Sequence, residues 1–126
     1  MDDTVRAALA PTQVIDLTTT GRRSGESRRI EIVLHNLDGQ LVISGMPMAG
    51  RTRAWIHNVE ADPAVVIHLK AGPVVADLEG SARVVTDPSE RRDLLTGVAR
   101  HWNRTDIDVM VEHSPLIVVT LPGYAA

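Results

Sequence analysis

A chain of 126 residues that is 44% hydrophobic, with a net charge of −3, can bury a real core and is too apolar to stay disordered. It has no cysteine, which excludes disulfides, a thiol nucleophile and thiolate metal sites. Its only aromatic residues of the Phe, Trp and Tyr type are Trp55, Trp102 and Tyr124, so the core must be aliphatic and a site of stacked rings is excluded. No apolar run approaches the roughly 20 residues of a membrane helix. The acidic start, Met1-Asp2-Asp3-Thr4, has no signal-peptide pattern. One domain over residues 1–126 and a cytoplasmic location are expected.

Residues 4–10 read as a short helix or arm that Pro11 ends, within an N-terminal arm of residues 1–12. A β-branched first strand follows over 14–20. Gly21 breaks it, and the Gly/Ser turn 21–27 carries Arg22 and Arg23, with Arg28 and Arg29 just behind. In the second strand, 28–37, Ile30, Ile32 and Leu34 alternate with Arg29, Glu31 and His35, the pattern of a sheet with one buried side. Asp38-Gly39 marks a hairpin into a third strand at 40–44, antiparallel to the second. The loop from Gly45 to Gly50 cannot continue it. Thr52 is placed to cap a short helix over 53–60 whose Trp55, Ile56 and Val59 face inward, with Asn58 three residues after Trp55.

The fourth strand spans 64–70. The fifth is long, 74–86, with Gly80 as a bulge or barrel bend. Asp87-Pro88-Ser89-Glu90 is a strong helix start, and Leu94, Val98 and Trp102 form the apolar stripe behind it. Arg91, Arg92, Arg100 and Arg104 are expected on a solvated face. Residues 103–113 look polar and irregular, with room for one helical turn. The apolar run 115–121 is the last strand, followed by a tail at 123–126. The expected fold is α+β, mainly β: a mostly antiparallel split barrel in the order β-β-β-α-β-β-α-β.

Charge is unevenly placed. From Leu17 to Asn58 six arginines stand against three acids, a surplus of three, so the remainder carries a deficit of six. A basic island on an acidic protein suits one localised anionic ligand rather than nucleic acid, which usually wants a basic domain. Successive N–H groups in a Gly/Ser turn, flanked by arginine forks, can hold a phosphate or carboxylate. The same stretch also reads as a solvated hairpin turn. His57 and Glu60 share a helical spacing of three, but no third ligand is apparent, so no metal is expected.

Leu-Thr-Thr-Thr-Gly-Arg-Arg-Ser-Gly (17–25), Ser44-Gly45, Ala-Trp-Ile-His-Asn (54–58), Ala-Asp-Pro (61–63) and Ser-Pro-Leu-Ile-Val-Val-Thr-Leu (114–121) together resemble the deazaflavin-dependent nitroreductase family, over about residues 13–122. The resemblance implies a split barrel like that of the flavin-mononucleotide reductases, coenzyme F-420 as cofactor, and frequent homodimers. It places Arg22, Arg23 and Ser24 by the cofactor's phosphodiester and glutamate tail, with Arg28 or Arg29 nearby. Ser44 and Gly45 would bring backbone against the deazaflavin. Trp55 and Asn58 would line the ring pocket. Met110 stands in the region where relatives often place tyrosines near the substrate; apart from the resemblance, Met46 and Met48 read either as an adaptable apolar lid over a ligand or as a mobile loop. The sequence departs from the family at Glu26, where a base is common, and at Gly-Met-Pro-Met (45–48), where Lys-Gly-Gly is common.

The expected activity is hydride transfer from reduced F-420 to a small, apolar, electron-poor molecule: a quinone, an enone or a nitro compound. Two alternatives stand beside it. One is a flavin-mononucleotide (FMN) enzyme of the same barrel. The other is a cofactor-free barrel that binds a hydrophobic ligand.

Overall fold

The computed structural model describes residues 1–50 and 52–124. In chain order come α1 (Asp3–Ala8), β1 (Gln13–Thr20), β2 (Ser27–Leu37), β3 (Gln40–Ser44), α2 (Ala54–Ala61), β4 (Ala64–Leu69), β5 (Ala76–Val84), α3 (Pro88–His101), α4 (Ile107–His113) and β6 (Leu116–Thr120). Among the described residues the strands close into one barrel, β1-β2-β3-β6-β5-β4. All six ladders are antiparallel. This is the expected mainly-β architecture. The last two residues of the expected tail, 125 and 126, lie outside the described residues, as does Arg51.

Two apolar clusters hold the molecule together, and alternation explains both. Inward residues Ile15, Leu17, Leu34, Ile43, Ile67 and Ile117 fill the barrel, joined by Trp55 and Val59 from α2. Outward residues Val42, Leu116 and Val118 meet Leu94, Leu95, Val98 and Ala99 of α3. β3 and β6 are therefore covered on both faces, which is why 116–119 reads as a continuous apolar run. His35, expected on a wet outer face, is fully buried for the same reason. Its Nδ1 lies 2.8 Å from Nδ1 of His101, and the edge of Trp102 meets its ring.

Four expectations need correction. The stretch 103–113 contains a helix, α4, because Ile107, Met110 and Val111 form an apolar stripe packed on the outer cluster. Thr52 does not cap α2. The helix starts one residue later with Arg53 at the cap position, making no side-chain cap bond. The Arg53 guanidinium instead donates to the Met46 carbonyl at 2.5 Å. Arg91 does not belong to a solvated face: it is part-buried and donates to the carbonyls of Val85, Val111 and Ser114. Finally, of the two readings of Gly80, a bulge or a barrel bend, the bulge is excluded. Residues 76–81 of β5 pair with β4 in unbroken register and 81–84 pair with β6, so Gly80 sits where the strand changes neighbours. A Cβ there would meet the Thr120 carbonyl oxygen at 2.5 Å.

Candidate functional site

The β1–β2 connection is a closed, hydrogen-bonded turn. Thr20 is the last residue of β1 to pair, opposite Ser27. The Gly21 N–H then donates to the Glu26 carbonyl at 2.7 Å, and the Gly25 N–H donates to the Gly21 carbonyl at 2.8 Å. The Ser24 hydroxyl accepts the Glu26 N–H at 3.1 Å. Gly25 adopts φ of +71°, which an L side chain rarely tolerates. The turn thus projects its arginines outward from a fixed backbone.

Helix α2 fixes the turn from the other side. Buried Asn58 accepts the Arg22 N–H through Oδ1 and donates through Nδ2 to the Thr19 hydroxyl, both at 3.1 Å. Trp55, one helical turn earlier, is 7% exposed. Between turn and helix lies an open cleft of about 390 Å³. Of the residues expected to hold the cofactor, Arg22, Arg23, Ser24, Arg28, Trp55 and Asn58 all line it. Thr19, Gly21, Arg29, Ile30 and Ala54 complete the wall. Gly21 and Arg29 stand out in the sequence with the turn; Thr19, Ile30 and Ala54 are not assigned to a site there, but two of them leave a signal. Thr19 is a polar residue on the inward stripe Ile15–Leu17–Thr19, and Ile30 lies on the inward face of β2 beside the turn.

The four arginines of the cleft differ in what they already hold. The Arg29 Nε donates to Asp16 at 2.9 Å, and Asp16 also takes Lys70 at 2.7 Å. Hydrogen bonds from Lys70 and then Arg29 hold the Asp16 carboxyl below the usual carboxylate range. Arg28 faces Glu26 at a loose 3.8 Å. Among the described residues the guanidiniums of Arg22 and Arg23 make no ion pair or hydrogen bond. The cleft therefore offers two unengaged forks beside an apolar wall of Trp55, Ile30 and Ala54. That combination suits a ligand with a flat apolar part and an anionic arm.

The other expected site residues do not line this cleft. The Ser44 hydroxyl is buried and donates to the Pro115 carbonyl at 2.6 Å, which ties β3 to the start of β6. Gly45 packs against Pro115 and the Arg53 guanidinium. Met46 and Met48 are exposed, 48% and 37%, and Nη1 of Arg104 reaches the Met46 sulfur at 2.8 Å. Met110, expected in the substrate pocket, is fully buried in the outer cluster, because α4 packs its apolar stripe there beside α3. His57 faces Glu60 at 3.4 Å, with both side chains largely exposed. Among the described residues no group of three His, Asp or Glu side chains converges as a metal site, and no helix is long and apolar enough to cross a membrane.

A family model described as F420H(2)-dependent quinone reductase matches residues 2–122. No curated protein matches the chain. Among solved structures, one described as an F420-H2 dependent reductase (FDR-A) is 20% identical, covers 85% of this chain and 93% of its own, and superposes with a TM-score of 0.63. One described as an F420 reductase is 16% identical, covers 95% and 94%, and has a TM-score of 0.69. A third, described as a domain-swapped dimer, is 20% identical, covers 85% and 79%, and has a TM-score of 0.63. At these identities the structures establish a shared fold.

Proposed function

Because this chain belongs to the F420H(2)-dependent quinone reductase family and is thus an F420-dependent reductase, we propose that the cleft between the 21–26 turn and α2 is where it holds coenzyme F-420. The observation that carries this reading is the pair of unengaged guanidiniums, Arg22 and Arg23, beside the apolar wall of Trp55 and Ile30. When bound in reduced form, the cofactor supplies a hydride, which with one proton converts a quinone to its hydroquinone. The chain's own residues bind and orient. Arg22 and Arg23 grip the anionic arm, and Asn58 keeps Arg22 in register by holding its N–H. Trp55 and Ile30 shield one side of the ring from water. Among the described residues lining the cleft there is no carboxylate or imidazole.

Ser44 and Gly45, with Met46 and Met48 on the loop before α2, are proposed to lie along the ring and substrate side, reached beyond the cleft's own wall. The substrate is a small, apolar, electron-poor molecule, with quinones first. A homodimer belongs to the same reading, supported by the neighbour described as a domain-swapped dimer. So does a cytoplasmic location, supported by a chain without cysteine.

The test is fluorescence titration with F-420, paired with oxidation of the reduced cofactor by a quinone. Wild-type protein should bind in the micromolar range, and Arg23→Ala should weaken binding about tenfold, as expected for one lost charge-assisted fork. Equal binding by wild type and Arg23→Ala would remove the turn from the cofactor site.

A further inference from the structure

The four arginines of the cleft stand in three states. Arg29 is locked: its partner Asp16 has only 19% of its side chain exposed and also holds Lys70. Arg22 and Arg23 are unengaged among the described residues. Arg28 is intermediate, facing Glu26 at 3.8 Å, with 57% of the Arg28 side chain and 72% of the Glu26 side chain open to solvent. Such a long, solvated pair is worth little and exchanges easily. Glu26 also has no other side-chain partner among the described residues, and its contribution to the turn is made by backbone atoms. Its carbonyl accepts the Gly21 N–H and its N–H donates to Ser24. The carboxylate is therefore not needed to build the turn, yet it faces Arg28, one of the arginines that line the cleft.

Building on the proposed function, we infer that Glu26 is an internal competitor for the ligand's anionic arm, holding Arg28 until a ligand carboxylate or phosphate oxygen takes its place. Two consequences follow from charge alone. An anion that engages only Arg22 and Arg23 meets repulsion from Glu26 and gains nothing from Arg28. An arm long enough to reach Arg28 exchanges one carboxylate for another and frees Glu26 to turn to water. The residue thus selects for an arm with more than one anionic group, and for ligands that span from the Arg22–Arg23 pair to the start of β2.

The experiment is a double-mutant cycle read by F-420 titration at low and high salt, with Glu26→Gln, Arg28→Ala and the double variant. Glu79→Gln, which removes one negative charge outside the cleft, is the control. Glu26→Gln should tighten binding roughly three- to fivefold at low salt, the range of an exposed pair, and the gain should fade as salt screens it. In the Arg28→Ala background the gain should shrink to the part that comes from relieving Glu26's repulsion of the anion. A gain of equal size with and without Arg28, or one matched by Glu79→Gln, would show a general field effect and overturn the inference. Titrating the ¹⁵N-labelled variants with pyrophosphate and following the Arg28 Nε–H resonance gives a second readout. The resonance should move at lower pyrophosphate concentration in Glu26→Gln than in wild type, and identical curves would sink the competitor. If F-420 fails to bind every variant while this resonance still responds as described, the cofactor assignment falls and the competition stands.

Discussion

Asn58 is the residue on which the geometry of the cleft depends most. It spends both ends of its amide on the turn and on β1, so its removal leaves the Arg22 N–H and the buried Thr19 hydroxyl without partners. Unpaired buried groups cost about 1–3 kcal/mol. We expect Asn58→Ala to lose that much stability in chemical denaturation and to weaken F-420 binding, while Arg23→Ala weakens binding with little change in stability. His35 gives a second result at this scale. Burial first, and the adjacent His101 second, push its imidazole down from the usual 6.5 to about 4. The unfolded chain therefore takes up a proton that the folded chain refuses between those values. Stability is complete above pH 6.5 and is lost as pH falls toward 4, by roughly 3 kcal/mol in total. Denaturation midpoints measured across that window should drop for the wild type and stay flatter for His35→Leu.

At the scale of elements, the barrel depends on β5 serving two neighbours. Its first residues pair with β4 and its last with β6, and the handover at Gly80 leaves no space for a methyl group. Gly80→Ala would push against the Thr120 carbonyl and the Leu121 side chain, backbone on one side and core on the other. We expect a loss of about 1–3 kcal/mol in thermal or chemical unfolding. Helix α3 is set by its start: Asp87 accepts the Glu90 N–H at 2.9 Å, with Pro88 in the first turn. Asp87→Ala should cost about 1 kcal/mol.

The whole molecule is a barrel with a second core plastered on its outer wall. Trp55 belongs to the inner cluster and Trp102 packs on the outer one, so each tryptophan reports on a different core. β3 and β6 face both clusters, which couples them. Single-tryptophan variants, Trp55→Phe and Trp102→Phe, should therefore unfold with coincident denaturation midpoints, and separated midpoints would mean that α3 and α4 leave before the barrel opens. Leu95→Ala, a fully buried truncation in the outer core, should lower both midpoints together, at a cost of about 2–5 kcal/mol.

Much of this protein was legible in its sequence, because short-range physics wrote it there. Period-two alternation announced the strands, Asp38-Gly39 the hairpin and Asp87-Pro88 the helix start. The Gly/Ser/Arg turn announced the cleft, since a tight turn and its arginines are local features, and Trp55 and Asn58 sit one helical turn apart. What the sequence could not show depends on which surfaces meet. His35 follows the outer pattern of β2 and is buried only because α3 crosses it. Met110 carries no mark that separates a pocket residue from a core residue, and the packing of α4 beside α3 in the outer cluster makes it core. The arginines of the cleft look alike in sequence, yet Asp16, thirteen residues before Arg29, comes opposite Glu31 through the β1–β2 register and locks one of them. Local chemistry thus decided where the basic cleft could form, and strand register and helix docking decided which of its charges are already paired among the described residues.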